Sequence, residues 1–259
     1  MFVLLTCIVN AQSKFTLVTK NTMSGKKIGI IKNGIDTVIR PTYDVINTYS
    51  ATDGSFDVML DGRCGIIDTN GNVMVPIIYN SITNLTNHRA FVSDGALYAL
   101  INRNGKLLTG YIFEQMSFFS EGYCCIVRNK LCGYIDSTGK LIIACKYNKG
   151  DDFYNGVVTV YTNKWDDIDQ YRLTQGKQST NIRAGITNEY PVVLNTNGKI
   201  IYAGSANEEI TTIGNGFLVC EKYEPSISKR IGQIITTKGI IVFPYSKYCA
   251  FYQEDNWIR

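Results

Sequence analysis

The 259-residue sequence holds a single histidine, His88, and that scarcity removes most histidine-based acid–base catalysis and most histidine metal sites. Charged residues make up only 19%, below the roughly 25% of an average chain, so neither a charged tail nor charge-driven disorder is expected. Alanine is also sparse: 10 residues against 32 isoleucines, 17 tyrosines and 11 phenylalanines, a mixture that favours strands over helices. No CxxC pair is present, so the usual zinc-ligand spacing is missing. No GxSxG, P-loop, HExxH or strand-linked GxGxxG occurs either. No apolar run reaches the length of about 18 residues that a membrane-spanning helix requires, so no transmembrane span is expected.

What remains is apolar and mildly basic. Hydrophobic residues make up 45% and the net charge is +4, with the 26 basic residues scattered and never denser than Lys26-Lys27 or Lys229-Arg230. A nucleic-acid binder gathers such residues on one face or element, so none is expected as a partner. Met1 to Ala11 reads MFVLLTCIVNA, an apolar run ending in a small residue, as in the core and cleavage site of a secretory signal that has lost its positive start. Residues 1–11 are therefore expected to be a truncated signal peptide, with 12–25 a lead segment and the protein secreted, periplasmic or in the cell envelope; the competing reading is a first β-strand. The eight cysteines are Cys7, Cys64, Cys124, Cys125, Cys132, Cys145, Cys220 and Cys249. Cys64 and Cys132 each precede a glycine at equivalent places and read as small buried hydrophobes. An oxidising compartment would permit a disulfide, and the sequence does not choose the pair.

Internal periodicity is the dominant signal. Gly29, Gly65, Ala99 and Gly133 form one column with steps of 36, 34 and 34. Tyr43, Tyr79, Phe113 and Tyr147 keep the same steps, and Gly54, His88, Gly122 and Gly156 recur every 34 residues. Each copy has an apolar strand such as Cys64-Gly65-Ile66-Ile67 and a turn ending in glycine, as at Asn33-Gly34, Asn70-Gly71, Asn104-Gly105, Thr138-Gly139, Asn197-Gly198 and Lys238-Gly239. Asn-Gly tolerates positive φ at both positions and is expected to close a tight hairpin. A second strand follows, with Pro41, Pro76 or Pro244 near its end, where proline is expected to stop the ladder. After the aromatic comes a last strand, such as Phe56–Met59 or Tyr123–Val127. The expected unit is a three-stranded antiparallel meander of about 34 residues that covers its faces by stacking on its neighbours. The recurring ring plugs the joint, and the glycines mark close backbone approach or positive φ. His88, in a glycine column, is expected in a turn with unusual φ. The alternative use of the tyrosine column is a row of sugar-stacking platforms.

The pattern resembles the WG-repeat family. The residues that carry the resemblance are Leu131-Cys132-Gly133-Tyr134-Ile135-Asp136-Ser137-Thr138-Gly139-Lys140, Gly65-Ile66-Ile67-Asp68 with Asn70-Gly71, Pro41-Thr42-Tyr43-Asp44, and Phe118-Phe119-Ser120-Glu121-Gly122. The eponymous tryptophan is absent; Ile28, Cys64, Tyr98, Cys132 and Ile231 stand in its place, and Trp165 and Trp257 lie elsewhere. The resemblance implies an all-β repeat fold and no known catalytic residues.

The expected organisation is four β repeats over 26–162, a polar insertion over 163–190 and two weaker repeats over 191–259, arranged as a propeller-like ring or an open β-solenoid array. The insertion carries Asp166, Asp167 and Asp169, whose spacing is not that of a calcium loop, and Trp165, the aromatic expected to be exposed or to cap the fourth repeat. It is expected to be a solvated loop, and such insertions often map to a binding face. Asp151-Asp152 and Glu208-Glu209 are adjacent carboxylates that point to opposite faces of a strand and read as surface charge rather than a glycosidase pair. No catalytic residue, metal site or cofactor is assigned, and no binding residue is identified. The functional expectation is a non-catalytic module binding a protein or an envelope polymer through one face of the array. The alternative is a glycan-active or glycan-binding protein using exposed aromatics and carboxylates.

Overall fold

A computed structural model describes residues 4–6, 15–23, 25–48, 54–163, 168–169, 171, 189–205, 208–246, 253–254 and 257–258. The fold is all-β, a tandem series of antiparallel meanders whose strands follow chain order within each sheet. Sheet 1 holds β1 (Leu4–Thr6), β2 (Phe15–Thr22), β3 (Gly25–Lys32) and β4 (Asp36–Tyr43). Sheet 2 holds β5 (Val45–Asn47), β6 (Ser55–Leu60), β7 (Arg63–Asp68) and β8 (Val73–Tyr79), and sheet 3 holds β9 (Ser81–Ile82), β10 (Arg89–Ser93) and β11 (Tyr98–Asn102). Sheet 4 holds β12 (Gln115–Met116), β13 (Tyr123–Arg128), β14 (Leu131–Asp136) and β15 (Leu141–Tyr147). Sheet 5 holds β16 (Lys149–Gly150), β17 (Val157–Thr162), β18 (Tyr190–Asn195) and β19 (Ile200–Ala203), and sheet 6 holds β20 (Glu209–Gly214), β21 (Phe217–Glu224), β22 (Lys229–Thr236) and β23 (Ile241–Ser246). The backbone pair β24 (Gln253–Glu254) and β25 (Trp257–Ile258) follows. The chain divides into two compact units, Met1–Glu114 and Gln115–Arg259. Helical conformation among the described residues is confined to Ile168, Asp169, Tyr171 and a 3-10 turn at Pro225–Ile227.

The sheets are out of phase with the sequence repeat. The last strand of one repeat pairs with the first strand of the next, so β6 and β7 run from Ser55↔Asp68 to Leu60↔Arg63. The joining turn, Asp61-Gly62, has φ of 50° and 74°, the mirror-image geometry suited to two-residue hairpins. Asn129-Lys130 does the same between β13 and β14, with φ of 53° and 62°. Each expected three-stranded unit is thus divided between two sheets, and a short first strand completes four in most of them. Within each unit consecutive sheets share a buried core: sheets 1 and 2, 2 and 3, 4 and 5, and 5 and 6.

The glycine-ended turns also differ from expectation. Only sheet 1 has positive φ at both Asn33 (53°) and Gly34 (77°). Elsewhere a side chain at the strand end organises a longer loop. Asp68 Oδ1 accepts from the backbone N–H of Asn70 (2.9 Å) and Asn72 (2.8 Å), and only Gly71 is left-handed. Asn102, Asp136 and Asn195 make the same pair of bonds, and the Thr236 hydroxyl repeats it in sheet 6. A side-chain oxygen thus satisfies turn amides that an antiparallel ladder would leave unpaired.

The first glycine column marks close approach. Opposite Gly133, β15 carries a bulge with two extra residues between the pairs Cys132↔Tyr147 and Tyr134↔Ile143. A Cβ at Gly133 would lie 2.6 Å from the Ile143 carbonyl oxygen and 2.7 Å from the Cys145 nitrogen. Gly29 and Gly65 face equivalent bulges, with backbone atoms of β4 and β8 equally close. Pro41 and Pro76 sit inside these bulges rather than ending the strands, at positions where no ladder N–H is needed. The register places Gly232, rather than Ile231, at the tryptophan position of sheet 6, since Gly232 pairs with Ser246 as Cys132 pairs with Tyr147. The third column is positive in φ throughout: Gly54, His88 (62°), Gly122 and Gly156.

The aromatic column is core. Tyr43 packs with Ile39 of sheet 1 and Phe56 and Val58 of sheet 2; Tyr79 packs with Ala90 and Val92 of sheet 3; Tyr147 packs with Val158, Val160 and Val192 of sheet 5. Phe113 is buried edge-on to Phe91, with ring centroids 6.2 Å apart. The three tyrosines close joints between neighbouring sheets, and Phe113 packs against sheet 3. Burial at the joints also lifts the phenols of Tyr43 and Tyr79 above the ordinary tyrosine range.

Candidate binding surface

Two motifs of the repeat fasten sheet to sheet. Asp44, directly after the core Tyr43, accepts from Lys27 Nζ (2.7 Å) and from the Asp61 backbone N–H (2.7 Å), capping the next hairpin turn. The hydrogen bond from Lys27 is the main reason the Asp44 carboxyl stands below the usual range. Ser120 Oγ donates to the Phe153 carbonyl (2.7 Å), and the Glu121 carboxylate accepts from Asn155 N–H (2.7 Å) and Gly156 N–H (2.8 Å). Ser-Glu-Gly in one repeat therefore holds the equivalent turn of the next.

Sheets 5 and 6 are joined differently. Glu208, 4% exposed, is a polar hub. Its Oε1 accepts from the hydroxyls of Tyr202 (2.5 Å) and Tyr245, and its Oε2 accepts from the backbone N–H (2.7 Å) and hydroxyl (2.8 Å) of Ser205. Gln233 Nε2 donates to Tyr202 Oη (2.5 Å). Burial, and then the Glu208 charge, push both phenols far above the ordinary tyrosine range, so they stay protonated donors. Glu208 is therefore a buried acceptor, not the surface charge expected from its sequence. Its neighbour Glu209 does face the other way, exposed and paired twice with Arg230 at 2.8 Å. The hub donors lie up to 37 residues from Glu208 in sequence, and no local motif announces them. Asp151 and Asp152 are exposed.

The surface carries a repeat of its own. At the first bridged position after the glycine-ended turn, Val73, Leu107, Leu141 and Ile241 are 57%, 44%, 49% and 49% exposed. Each stands opposite a fully buried or nearly buried isoleucine, in the pairs Ile67↔Val73, Ile101↔Leu107, Ile135↔Leu141 and Ile235↔Ile241. Val73, Leu107 and Leu141 are spaced by 34 residues and form a fourth column that reads in sequence like more core. The tyrosine column, by contrast, is buried at every copy and offers no stacking platform. Exposed aromatic rings among the described residues occur instead at Phe118, Tyr154, Tyr223 and Phe243, outside that column.

Of the expected insertion, Ile168 is fully buried in the core shared by sheets 4 and 5, and Tyr171 donates its hydroxyl to the Ile201 carbonyl (2.5 Å). Trp165, Asp166 and Asp167 lie outside the described residues, as do most of 1–14, including Cys7, and the side chain of Trp257. Among the described residues no three His, Cys, Asp or Glu side chains are grouped to hold a metal ion, and no helix is long and apolar enough to cross a membrane.

The profile of the WG-containing repeat matches residues 65–98, 98–132 and 133–164. No curated protein matches the chain. Among solved structures it is similar to a eukaryotic initiation factor at 12% identity, covering 92% of this chain and 76% of that one with a TM-score of 0.33. It is also similar to Hsv2 of Kluyveromyces lactis at 11% identity, 86% and 70% coverage and a TM-score of 0.38. A third similar structure is the hydrazine synthase of Kuenenia stuttgartiensis, at 7% identity, 80% and 66% coverage and a TM-score of 0.34. Residues 65–164 thus carry three tandem copies of the WG-containing repeat, the family that the sequence resembles.

Proposed function

We propose that this protein is an exported, non-catalytic repeat module that binds a protein or an envelope polymer through one face of its array. The observation that supports this reading is an exposed aliphatic side chain at the same register position within each unit, Val73 and Leu107 in the first and Leu141 and Ile241 in the second. Stacking explains why a repeat buries its tyrosines and glycines, but it gives no reason to expose an aliphatic side chain at one register position in several sheets. Recurrent exposed apolar positions are a mark of an interaction site. Export rests on the apolar composition of Met1–Ala11 alone, a stretch in which Leu4–Thr6 also pairs with β2 as the first strand of sheet 1.

The test is capture from cell-envelope extracts with the wild-type chain and with a Val73→Glu, Leu107→Glu, Leu141→Glu, Ile241→Glu variant. The wild type retains a specific partner and the variant loses it, while circular dichroism and the melting midpoint barely change, because exposed substitutions typically cost within about 0.5 kcal/mol each. Equal retention by both chains removes the column as the binding face. Turnover on a polysaccharide panel that disappears on substituting an aspartate or glutamate overturns the non-catalytic reading.

A further inference from the structure

Two of the cysteines are placed to react with each other. Cys125 on β13 pairs across the ladder with Tyr134 of β14, and Cys132 lies two residues before Tyr134, on the same face. The two thiols are therefore diagonal neighbours, with the sulfurs 2.9 Å apart. A disulfide bond needs about 2.05 Å, so the sulfurs must close by only about 0.9 Å. Of the other described cysteines, Cys145 lies near enough to act electrostatically on both thiols, and the rest are set apart. Cys124 points to the opposite face, fully buried, and donates to the Ser117 carbonyl at 3.3 Å. Cys64 makes a weak contact of 3.8 Å with the Asn80 carbonyl, and Cys220 is enclosed in the core of sheets 5 and 6. In sheet 2 the two corresponding places hold Asp57 and Cys64, so the pair is not a by-product of the repeat.

The surroundings give the two sulfurs different roles. Cys132 is buried beneath β16, where a Cβ on Gly150 would lie 2.7 Å from its sulfur, whereas Cys125 is half-buried and more accessible. A hydrogen bond from the Cys132 thiol favours the thiolate at Cys125, lowering its pKa and raising that of Cys132. The accessible sulfur is thus also the one disposed to attack.

We propose that Cys125 and Cys132 form a modification site, joined as a disulfide between β13 and β14 when the chain meets a disulfide oxidant. The Cys125 thiolate attacks glutathione disulfide, forming a mixed disulfide and expelling one glutathione thiolate. Cys132 gives its proton to solvent, attacks the Cys125 sulfur and expels the second glutathione. Two protein thiols lose two protons and two electrons, and one glutathione disulfide becomes two glutathiones. The product closes a ring around the Asn129-Lys130 turn and fixes the hairpin at the centre of sheet 4.

The experiment equilibrates the full chain in graded mixtures of glutathione and glutathione disulfide, quenches with acid, alkylates the remaining thiols and maps the peptides. Trypsin cuts after Arg128 and Lys130, between the two cysteines, so the bridged product appears as two fragments held by one bond. The expected result is a chain two hydrogens lighter, with Cys125 and Cys132 linked and Cys64, Cys124, Cys145 and Cys220 alkylated after denaturation. Cys125→Ser and Cys132→Ser each abolish the link, and Cys145→Ser leaves it intact. Full alkylation of all cysteines in the most oxidising mixture, or linkage of either sulfur to any other cysteine, overturns the proposal. The wild-type map decides the matter even if a serine variant fails to fold.

Discussion

Sheet 4 and sheet 6 meet the same geometric problem with different chemistry. In sheet 4 the bulge of β15 crosses so closely over Gly133 that no side chain fits beneath it. In sheet 6 the interval between Ile234↔Phe243 and Gly232↔Ser246 is one residue shorter, and the glycine's place is taken by Gln233. Its amide reaches Tyr202, which shares Glu208 with Tyr245 of that bulge. Sheet 5 has lost this bulge too, pairing Val192↔Ala203 and Val193↔Tyr202 in continuous register, and it carries valine where sheet 4 carries glycine. The glycine of the repeat is thus a response to the backbone opposite it: where the bulge shrinks, a side chain returns. Sheet 3 departs from this pattern: its interval from Tyr98↔Phe113 to Ile101↔Leu107 is as long as that of sheet 4, yet Ala99 stands in the glycine's place, opposite a segment that forms isolated bridges rather than a strand.

The contrast can be broken most severely at the hub. Glu208→Ala leaves two tyrosine hydroxyls, a serine hydroxyl and an amide without their acceptor inside the protein. Losing the acceptor of such a network costs about 3–5 kcal/mol. Denaturant unfolding should show that loss, and Glu208→Gln should recover part of it. A smaller effect separates packing from backbone strain at the turns. A Cβ at Gly239 would fall 2.3 Å from the Ile201 carbonyl oxygen of sheet 5, whereas Gly34 has a similar φ and open space around it. Gly34→Ala should cost only the left-handed strain of about 1–2 kcal/mol. Gly239→Ala should cost about 1–3 kcal/mol more from overpacking, and equal losses in denaturant unfolding would refute the stacking contact.

The smallest effect concerns pH. Partial burial alone would raise the Asp136 carboxyl, but the hydrogen bonds from Thr138 and Lys140 outweigh it and hold the pKa below the ordinary value. A depressed folded pKa stabilises above the unfolded value of about 4, and this stabilisation is lost as pH falls through the folded pKa. The protection of amides in the 136–140 turn, corrected for the intrinsic exchange rate, should therefore fall in acid, while the turn at 195–199, built on the neutral Asn195, should not share this carboxyl-linked change. Asp136→Ala should destabilise by about 1 kcal/mol at neutral pH, and Asp136→Asn should keep most of the turn while removing its acid dependence.

Much of the fold is legible in the sequence because stacking imposes the same constraints at each copy. The core rings at Tyr43, Tyr79 and Tyr147 and the left-handed third column, His88 included, follow from period and residue type. The division into sheets is harder to read, since the repeat and the sheet are offset by one strand. Asp61-Gly62 is a hairpin signal for that offset, but its counterpart Asn129-Lys130 carries no glycine, which hides the signal at the copy where the rest of the pattern is clearest. The Glu208 hub is illegible because its donors come from strands far apart in sequence. The aliphatic column at Val73, Leu107 and Leu141 is visible as a period, yet only the structure tells an exposed aliphatic position from a buried one.

The most direct measurement of the glycine–bulge relation is the unfolding free energy of Gly133→Ala against wild type in denaturant. One methyl group there, at a position without left-handed φ, should cost about 1–3 kcal/mol, because it meets the backbone of β15 rather than a side chain able to turn aside. A Gly133→Ala chain as stable as wild type, or more stable, would contradict the account.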